Sequence, residues 1–145
     1  MPRLRVSGFL QREGRLLLVE HTKAGRSYYL LPGGGAEEQE NLEVSLEREF
    51  KEELAMQITV GPLLLLAQTL SPDGSRNIVH LVFLVSSEEE PSYTGEDERV
   101  SGFIWVEPQK ALTLPFYPDI LKRLLELKAD SSYNGVVVEF PEWLE

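Results

Sequence analysis

A glycine run followed at once by an acidic helical pattern constrains the fold more than any other stretch of the chain. Residues 33–54 read GGGAEEQENLEVSLEREFKEEL and hold eight glutamates, opposed only by Arg48 and Lys51. Asn41 precedes the periodic part and is a favourable helix N-cap. The pattern therefore predicts a helix over residues 41–54, entered from a loop in which glycines let the backbone approach a ligand closely.

Helical geometry places three of these carboxylates along one flank. Leucine, leucine and phenylalanine, spaced four residues apart, form an apolar stripe at about 100° per residue. Glu49 and Glu53 lie along the edge of this stripe, and Glu52 lies just beyond it. Like charges at this spacing repel by about 0.2–0.5 kcal/mol per pair, whereas Mg²⁺ prefers such oxygen ligands together with substrate phosphates. On geometry alone, a metal site and a solvated charged face remain equally open.

Composition narrows the classes of partner. The formal net charge of −10 argues against nucleic acid or an anionic membrane as partner, because both require basic side chains that neutralise phosphates. A divalent cation is the expected attractant for any bound phosphate. The absence of cysteine excludes disulfides and thiolate metal sites and fits a reducing compartment. With no signal-peptide pattern and no apolar run long enough to span a bilayer, we expect a soluble, cytoplasmic protein.

The remaining sequence alternates strand patterns with turn signals. Strands over 4–11 and 16–21 are predicted to pair as a hairpin across the turn REGR. The tail contains an Asn-Gly turn signal and the β-like run VVVEF. We expect one domain over 1–145, a mixed α/β sandwich, with residues 129–145 packing on the domain or on a second copy. The other predicted elements are strands at 28–31, 57–70 (broken at Gly61-Pro62), 77–86 and 100–108, and a helix at 119–128.

The acidic stretch resembles the signature of the Nudix hydrolases, G-x5-E-x7-R-E-U-x-E-E-x-G-U, in which U is a bulky aliphatic or similar residue. The flanking segments YYLLPGGG and FIWVEP are also similar to the family, so the resemblance covers roughly residues 3–128. Ala55 replaces the last glycine of the signature, and Gln39 stands where glycine is common; both departures concern turn geometry rather than chemistry. The matching positions are Gly34, Glu40, Arg48, Glu49, Phe50, Glu52, Glu53, Ala55 and Met56.

The resemblance implies a fold and a reaction. It implies an α/β/α sandwich around a mixed central sheet, in which the signature forms a loop–helix–loop. It also implies hydrolysis of a phosphoanhydride bond in a nucleoside diphosphate linked to another group. Carried onto this chain, it implies that Glu49, Glu52 and Glu53 bind Mg²⁺ or Mn²⁺. The bound cation would lower the pKa of a water that attacks phosphorus.

The same resemblance gives roles to neighbouring residues. Arg48 would orient the glutamates, and Glu40 would support the loop beside Gly34 or touch the metal through water. The carbonyl of Gly33 is a possible additional ligand. The proton of the attacking water would pass to one of the signature glutamates or to an acid in a later loop.

That later acid is expected in the segment TGEDERV. Glu98 and Glu96 are the candidates, and a solvated acidic loop is the alternative. Arg26 and Arg76 lie in loops and are candidates for phosphate or ribose contacts, with solvent exposure as the alternative. Several aromatic side chains are candidates for stacking on a base or for ordinary packing, namely Tyr28, Tyr29, Phe83, Phe116 and Tyr117.

The substrate is left open by the sequence. Relatives acting on ADP-ribose tend to carry a proline about sixteen positions after the signature, and Pro72 stands sixteen positions after Met56. ADP-ribose or a similar nucleotide sugar is therefore the first expectation. A nucleoside triphosphate or diadenosine polyphosphate is the alternative, and a non-catalytic nucleotide-sensing domain is a further one. The resemblance also admits a homodimer.

Overall fold

Two β-sheets and three helices build the described part of the chain. The computed structural model describes residues 1–129 and 136–144. The predicted Asn-Gly turn at 134–135 lies outside the described residues. The elements are β1 (Arg3–Phe9), β2 (Gln11–Arg12), β3 (Arg15–Lys23), β4 (Arg26–Leu30), β5 (Gly33–Gly35), α1 (Leu42–Leu54), β6 (Thr59–Leu70), β7 (Asn77–Ser86), β8 (Val100–Val106), α2 (Pro108–Ala111), α3 (Leu121–Ala129) and β9 (Val137–Glu139).

The larger sheet is mixed, which confirms the predicted mixed α/β architecture. Its strand order is β5-β1-β7-β6-β9. The β1–β7 and β6–β9 pairs are parallel, whereas the β1–β5 and β6–β7 pairs are antiparallel. In the second sheet, β3 pairs antiparallel with β2, β4 and β8. The register of β6 shifts between Val60 and Leu63, at the predicted Gly61-Pro62 break.

The predicted hairpin between residues 4–11 and 16–21 is wrong for most of its length. Only the two residues of β2 pair with β3, while β1 runs between β5 and β7 in the other sheet. Val6 and Phe9 are both fully buried and belong to different core clusters. A strand buried on both faces suits the interior of a sheet better than an edge hairpin.

Helices cover the two faces of the larger sheet. On one face, Leu46 and Phe50 of α1 are fully buried, and each such side chain contributes about 1.5–3 kcal/mol. A Cβ at Gly8 would lie 2.7 Å from the Phe50 ring, so the helix packs directly on β1. On the other face, Leu124 of α3 packs with Phe9 in a second cluster. This layering fixes α1 against the glycine-rich strand β5.

The described part of the tail packs on its own domain. β9 adds to the edge of the larger sheet beside β6, and Glu139 accepts a hydrogen bond from Arg123 at 3.2 Å. Further on, the ring of Trp143 lies 6.1 Å from that of Tyr117. The Arg76 guanidinium lies 5.8 Å from the Trp143 ring. These contacts bring the end of the tail towards the segment that precedes α3.

Within residues 1–129 and 136–144, every helix is too short or too polar to cross a bilayer.

A buried histidine is expected to make the protein less stable in mild acid. His80 is 2 % exposed, and burial, with a smaller effect of Arg5, lowers its pKa to about 4. The His80 imidazole therefore takes up a proton near pH 6.5 in the unfolded chain but only near pH 4 in the folded protein. Its contribution to the free energy of unfolding is complete above pH 6.5 and is lost as the pH falls below that value. His21, whose pKa burial also lowers to about 4, acts in the same direction.

Thermal melting between pH 7.5 and 4.5 tests this expectation. The loss of melting temperature in acid should be smaller in His80→Gln than in the wild type, because glutamine keeps a polar partner for Thr69 without titrating. Parallel pH profiles for the two proteins would contradict it.

Candidate active site

The glycine turn and the acidic flank of α1 are in direct contact. Glu53 is 3 % exposed, and its Oε1 accepts a hydrogen bond from the Gly33 N–H at 3.1 Å. A Cβ at Gly34 would lie 2.4 Å from the Glu49 carboxyl carbon. Glycine is therefore required at position 34 because the Glu49 carboxyl packs against the backbone of β5, and at position 33 because the backbone of β1 lies so close.

Arg48 connects four acceptors on both sides of the turn. Its Nε donates to Glu40 Oε2 at 2.9 Å, and its Nη1 donates to Glu49 at 3.0 Å and to Glu52 at 3.3 Å. Its Nη2 donates to the carbonyl of Gly35 at 3.2 Å. Charge-assisted bonds of this kind fix orientation as well as adding energy. Arg48 therefore joins Glu49 and Glu52 in one hydrogen-bonded network.

Glu40 anchors this network from the loop before α1. Its Oε1 also accepts a hydrogen bond from the Ser45 hydroxyl at 2.8 Å. The hydrogen bonds from Arg48 and then Ser45 lower the pKa of Glu40, and the bond to Glu40 raises the pKa of Arg48 further above its usual range. Glu40 thus stays charged and acts as a support for Arg48.

Two of the flank carboxylates are held where negative charge is unfavourable. The pKa of Glu53 is raised to about 8, chiefly by burial and also by the charges of Glu49 and Asp97, against the opposing effects of Arg5 and the Gly33 N–H. Burial also raises the pKa of Glu49, which Arg48 partly offsets. Buried carboxylates with raised pKa values are typical of functional sites, and a cation would favour their charged form.

The three carboxylates of the flank suit a hard divalent cation, but two of them are hydrogen-bonded to Arg48. Glu49, Glu52 and Glu53 offer carboxylate oxygens, the ligands that Mg²⁺ prefers. Within the described ranges, no group of three acidic or histidine side chains is already gathered closely enough to hold an ion. Glu49 and Glu52 point to Arg48, and Glu53 points to Gly33. A cation would compete with Arg48 for the first two and relieve the cost of charging the third.

The replacement of the last signature glycine by alanine does not abolish the turn. Ala55 adopts the left-handed conformation, with φ 53° and ψ 37°, and its N–H donates to the Lys51 carbonyl at 3.0 Å. The Met56 N–H donates to the Phe50 carbonyl at 3.3 Å. The bond from Ala55 to Lys51 is that of the αL cap motif, so the helix ends as a glycine would end it.

The predicted acidic loop does reach the site, but through a different residue. The Ser92 N–H donates to the Leu54 carbonyl at 2.8 Å, and the Thr94 hydroxyl donates to the Glu52 carbonyl. Asp97, which sequence reasoning did not select, is partly buried, and its charge acts on Glu53. It accepts three hydrogen bonds from Arg99, one from the backbone N–H at 3.0 Å and two from the guanidinium at 3.1 and 3.0 Å. The sequence feature that could have identified Asp97 is its spacing from Arg99, two residues later.

Four other residues that the sequence indicated for the site are exposed, two of them acids of that loop and two of them arginines. The side chains of Glu96 and Glu98 make no hydrogen bond or ion pair with the described residues. Arg26 is exposed at the start of β4, away from any ion pair within residues 1–129 and 136–144. Arg76 is exposed too and lies beside Trp143.

Arg5 is a second residue that the sequence did not reveal. It lies on β1 and donates from Nη2 to the Leu31 carbonyl at 3.0 Å. Burial lowers its pKa, while the charges of Glu53 and then Glu49 oppose that effect. A cationic side chain therefore lies near the buried carboxylates without forming an ion pair with any described residue.

Arg48→Lys tests the network around the acidic flank. A lysine cannot hold Glu40, Glu49 and Glu52 at once, because it lacks the planar fork of donors. Support of this kind is worth about 10- to 100-fold in activity, so kcat should fall by that factor with little change in melting temperature. Lys51→Ala, on the exposed side of the same helix, is the matched control. Equal activity of Arg48→Lys and the control would contradict the assigned role.

The comparisons with known proteins agree with this geometry. The model of the NUDIX domain family matches residues 1–127. A protein of Escherichia coli strain K12 named CTP pyrophosphohydrolase is 27 % identical over 131 residues, covering 86 % of this chain and 92 % of that protein. The solution structure of the E. coli ORF135 protein superposes with a TM-score of 0.74 at 22 % identity, over 91 % of this chain and 94 % of that one.

A structure named as an ADP-ribose pyrophosphatase of Streptococcus suis also shares the fold. Its TM-score is 0.71 at 14 % identity, and the match covers 97 % of this chain and 99 % of that one. Fold and site thus define a nucleotide pyrophosphohydrolase built on a loop–helix–loop of glutamates. The chain belongs to the NUDIX family, whose hydrolases generally use divalent metal cations. This confirms the predicted sandwich fold and enzyme class.

Proposed function

We propose that this protein hydrolyses a phosphoanhydride bond of a nucleoside triphosphate, with Mg²⁺ or Mn²⁺ as its cation. The observation that carries the proposal is the buried Glu53 carboxylate, held on the Gly33 N–H beside Glu49 with a raised pKa. Such an arrangement is costly for the fold and is compensated when a cation binds. The cation also supplies the charge that a chain of net charge −10 needs in order to attract a polyphosphate.

The roles of the residues follow from their positions. When bound, the divalent cation neutralises the phosphates and lowers the pKa of a water that attacks phosphorus. Glu49, Glu52 and Glu53 would hold the cation, with the Gly33 carbonyl as an additional oxygen. Arg48 keeps the first two carboxylates oriented and is itself held by Glu40, in the loop beside Gly34.

The proton acceptor comes from the same group of acids or from the loop after β7. Glu98, which the sequence indicates, is one candidate. Asp97 is better placed in that loop, because its charge already acts on Glu53. Glu96, Arg26 and Arg76 remain candidates for contacts with the outer phosphates or the ribose, since all three are exposed.

As the substrate, we favour a nucleoside triphosphate over ADP-ribose. The relative that carries the name CTP pyrophosphohydrolase is matched over 92 % of its length, whereas the ADP-ribose pyrophosphatase is only 14 % identical. Pro72 lies in a turn whose Asp73 accepts hydrogen bonds from Ser71 and Ser75, so ordinary turn formation accounts for a proline there. ADP-ribose stays the second candidate on the spacing of Pro72.

Nucleotide release from a panel of compounds tests the proposal. The panel holds CTP, ATP, ADP-ribose and diadenosine tetraphosphate, each with Mg²⁺, with Mn²⁺ and with EDTA. We expect cation-dependent release of a nucleoside monophosphate and pyrophosphate from a triphosphate. Release of AMP and ribose 5-phosphate from ADP-ribose alone would favour the second candidate. No cleavage, with cation binding shown by a raised melting temperature, would favour a nucleotide-sensing domain.

A further inference from the structure

The last turn of α1 is completed by the loop between β7 and β8. The final carbonyl groups of a helix have no partner within the helix itself. Here the Leu54 carbonyl accepts a hydrogen bond from the Ser92 N–H at 2.8 Å, and the Glu53 carbonyl accepts one from the Thr94 N–H at 3.4 Å. The Thr94 hydroxyl donates to the Glu52 carbonyl. The loop is therefore bonded to the backbone of the same residues whose side chains form the acidic flank.

The Thr94 hydroxyl joins the end of the helix to the rest of this loop. Its Oγ1 donates to the Glu52 carbonyl and also lies 3.3 Å from the Glu53 carbonyl. The same oxygen accepts a hydrogen bond from the Glu96 N–H at 3.3 Å. Gly95, between the two, has a φ of 74°, a conformation that glycine adopts without strain. One hydroxyl thus fixes both the helix end and the turn that follows it.

Asp97 lies directly after this turn, in a segment that is fixed at both ends. Its carbonyl accepts a hydrogen bond from the Val100 N–H at 3.0 Å, and the Val100 carbonyl accepts one from the Tyr93 hydroxyl at 3.1 Å. The Asp97 side chain is 25 % exposed, and its charge is one cause of the raised pKa of Glu53. Thr94 on α1 and Val100 on β8 therefore hold between them the loop acid that acts on the flank.

We propose that Thr94 is a positioning residue, which holds Asp97 beside the acidic flank so that Asp97 can accept the proton of the attacking water. This inference rests on the proposed hydrolysis of a nucleoside triphosphate. Because the Thr94 hydroxyl bonds to the backbone of α1, the loop keeps a constant position relative to the carboxylates of that helix. A misplacement of about 1 Å in such an arrangement can lower the rate by about 100-fold.

Thr94→Val removes the hydroxyl and nearly preserves the shape of the side chain. We expect kcat to fall by about 10- to 100-fold with little change in KM, because Thr94 is assigned no contact with the substrate. Thr94→Ser keeps the hydroxyl and should recover most of the lost activity. Thr113→Val is the matched control, since the Thr113 hydroxyl donates to the Lys110 carbonyl at the end of α2, at 2.6 Å. The control should keep the wild-type kcat.

A double-mutant cycle with Asp97→Asn distinguishes positioning from general support of the helix. If Thr94 acts through Asp97, Thr94→Val should lower kcat by less than about twofold in the Asp97→Asn protein, because the carboxylate that it positions is already lost. The rise in melting temperature caused by Mg²⁺ should persist in Thr94→Val. Additive losses in the cycle, or loss of the Mg²⁺ effect, would show that Thr94 supports the flank itself and would overturn the proposal.

Amide hydrogen exchange tests the anchoring role without any turnover. The Glu96 N–H loses its acceptor in Thr94→Val, so exchange over residues 92–97 should become about tenfold or more faster, while the amides at the centre of α1 keep their protection. Unchanged exchange in the loop would overturn the proposal whether or not a triphosphate is cleaved. Absence of all cleavage by the wild type, with faster exchange in the variant, would instead contradict the proposed hydrolysis and leave the anchoring by Thr94 in place.

Discussion

Glu53→Gln is expected to lower kcat by about 10²- to 10⁴-fold while leaving the protein folded. Glutamine has the shape of glutamate and can still accept the hydrogen bond from the Gly33 N–H, so the turn keeps its partner. It cannot supply a negative oxygen to a cation or accept a proton. Because burial already raises the pKa of Glu53 to about 8, the neutral amide should not destabilise the protein in the absence of metal.

Two measurements on this variant, turnover and thermal melting with Mg²⁺, test the expectation. Turnover of the best panel substrate should collapse, and the rise in melting temperature caused by Mg²⁺ should shrink. Glu47→Gln is the matched control, since it lies on the same helix, is exposed and makes no ion pair with the described residues. Turnover of Glu53→Gln within a few-fold of the wild type would show that Glu53 is not part of the catalytic site.

Gly33→Ala should destabilise the protein more than any of the other proposed substitutions. A Cβ at this position would lie 2.0 Å from the Val6 carbonyl oxygen and 2.7 Å from the Ser7 Cα. Both atoms belong to the backbone of β1, which pairs with β5 on one side and β7 on the other and cannot rotate aside. We expect the free energy of unfolding to fall by about 3 kcal/mol, together with loss of the Glu53 hydrogen bond.

Urea unfolding of two further glycine variants gives this prediction its controls. Gly102→Ala, on β8 with no atom within 4 Å of its added Cβ, should leave stability nearly unchanged. Gly34→Ala would instead meet the Glu49 carboxyl, at 2.4 Å, which is the end of a flexible side chain. It should therefore cost activity more than stability. A Gly33→Ala protein as stable as Gly102→Ala would contradict the close approach of β5 to β1.

Local features of the chain could be predicted from the sequence because they depend on neighbours a few residues away. The Asn41 side chain accepts a hydrogen bond from the Val44 N–H at 2.9 Å, as the predicted N-cap requires. The helical period placed Glu49, Glu52 and Glu53 on one flank before any fold was known. Spacing alone also related Arg48 to Glu52, four residues apart, and the structure joins them at 3.3 Å.

Features that depend on distant parts of the chain were decided only by the tertiary structure. β1 pairs with β7, more than sixty residues away, because the completed sheet buries both of its faces; a local hairpin pattern could not reveal this. Asp97, rather than its exposed neighbours Glu96 and Glu98, is the loop acid whose charge acts on Glu53, because the loop packs on the end of α1.

The sequence by itself determined the acidic helix and its glycine turn, since these are fixed by residue type and short spacing, and its resemblance to the Nudix signature indicated the class of chemistry. The fold determined the environment of each side chain. The Glu53 carboxylate is hard to charge because it is buried against the Gly33 backbone. Arg5 and Tyr117, more than a hundred residues apart, share one pocket because β1 and the segment before α3 meet on the same face of the sheet.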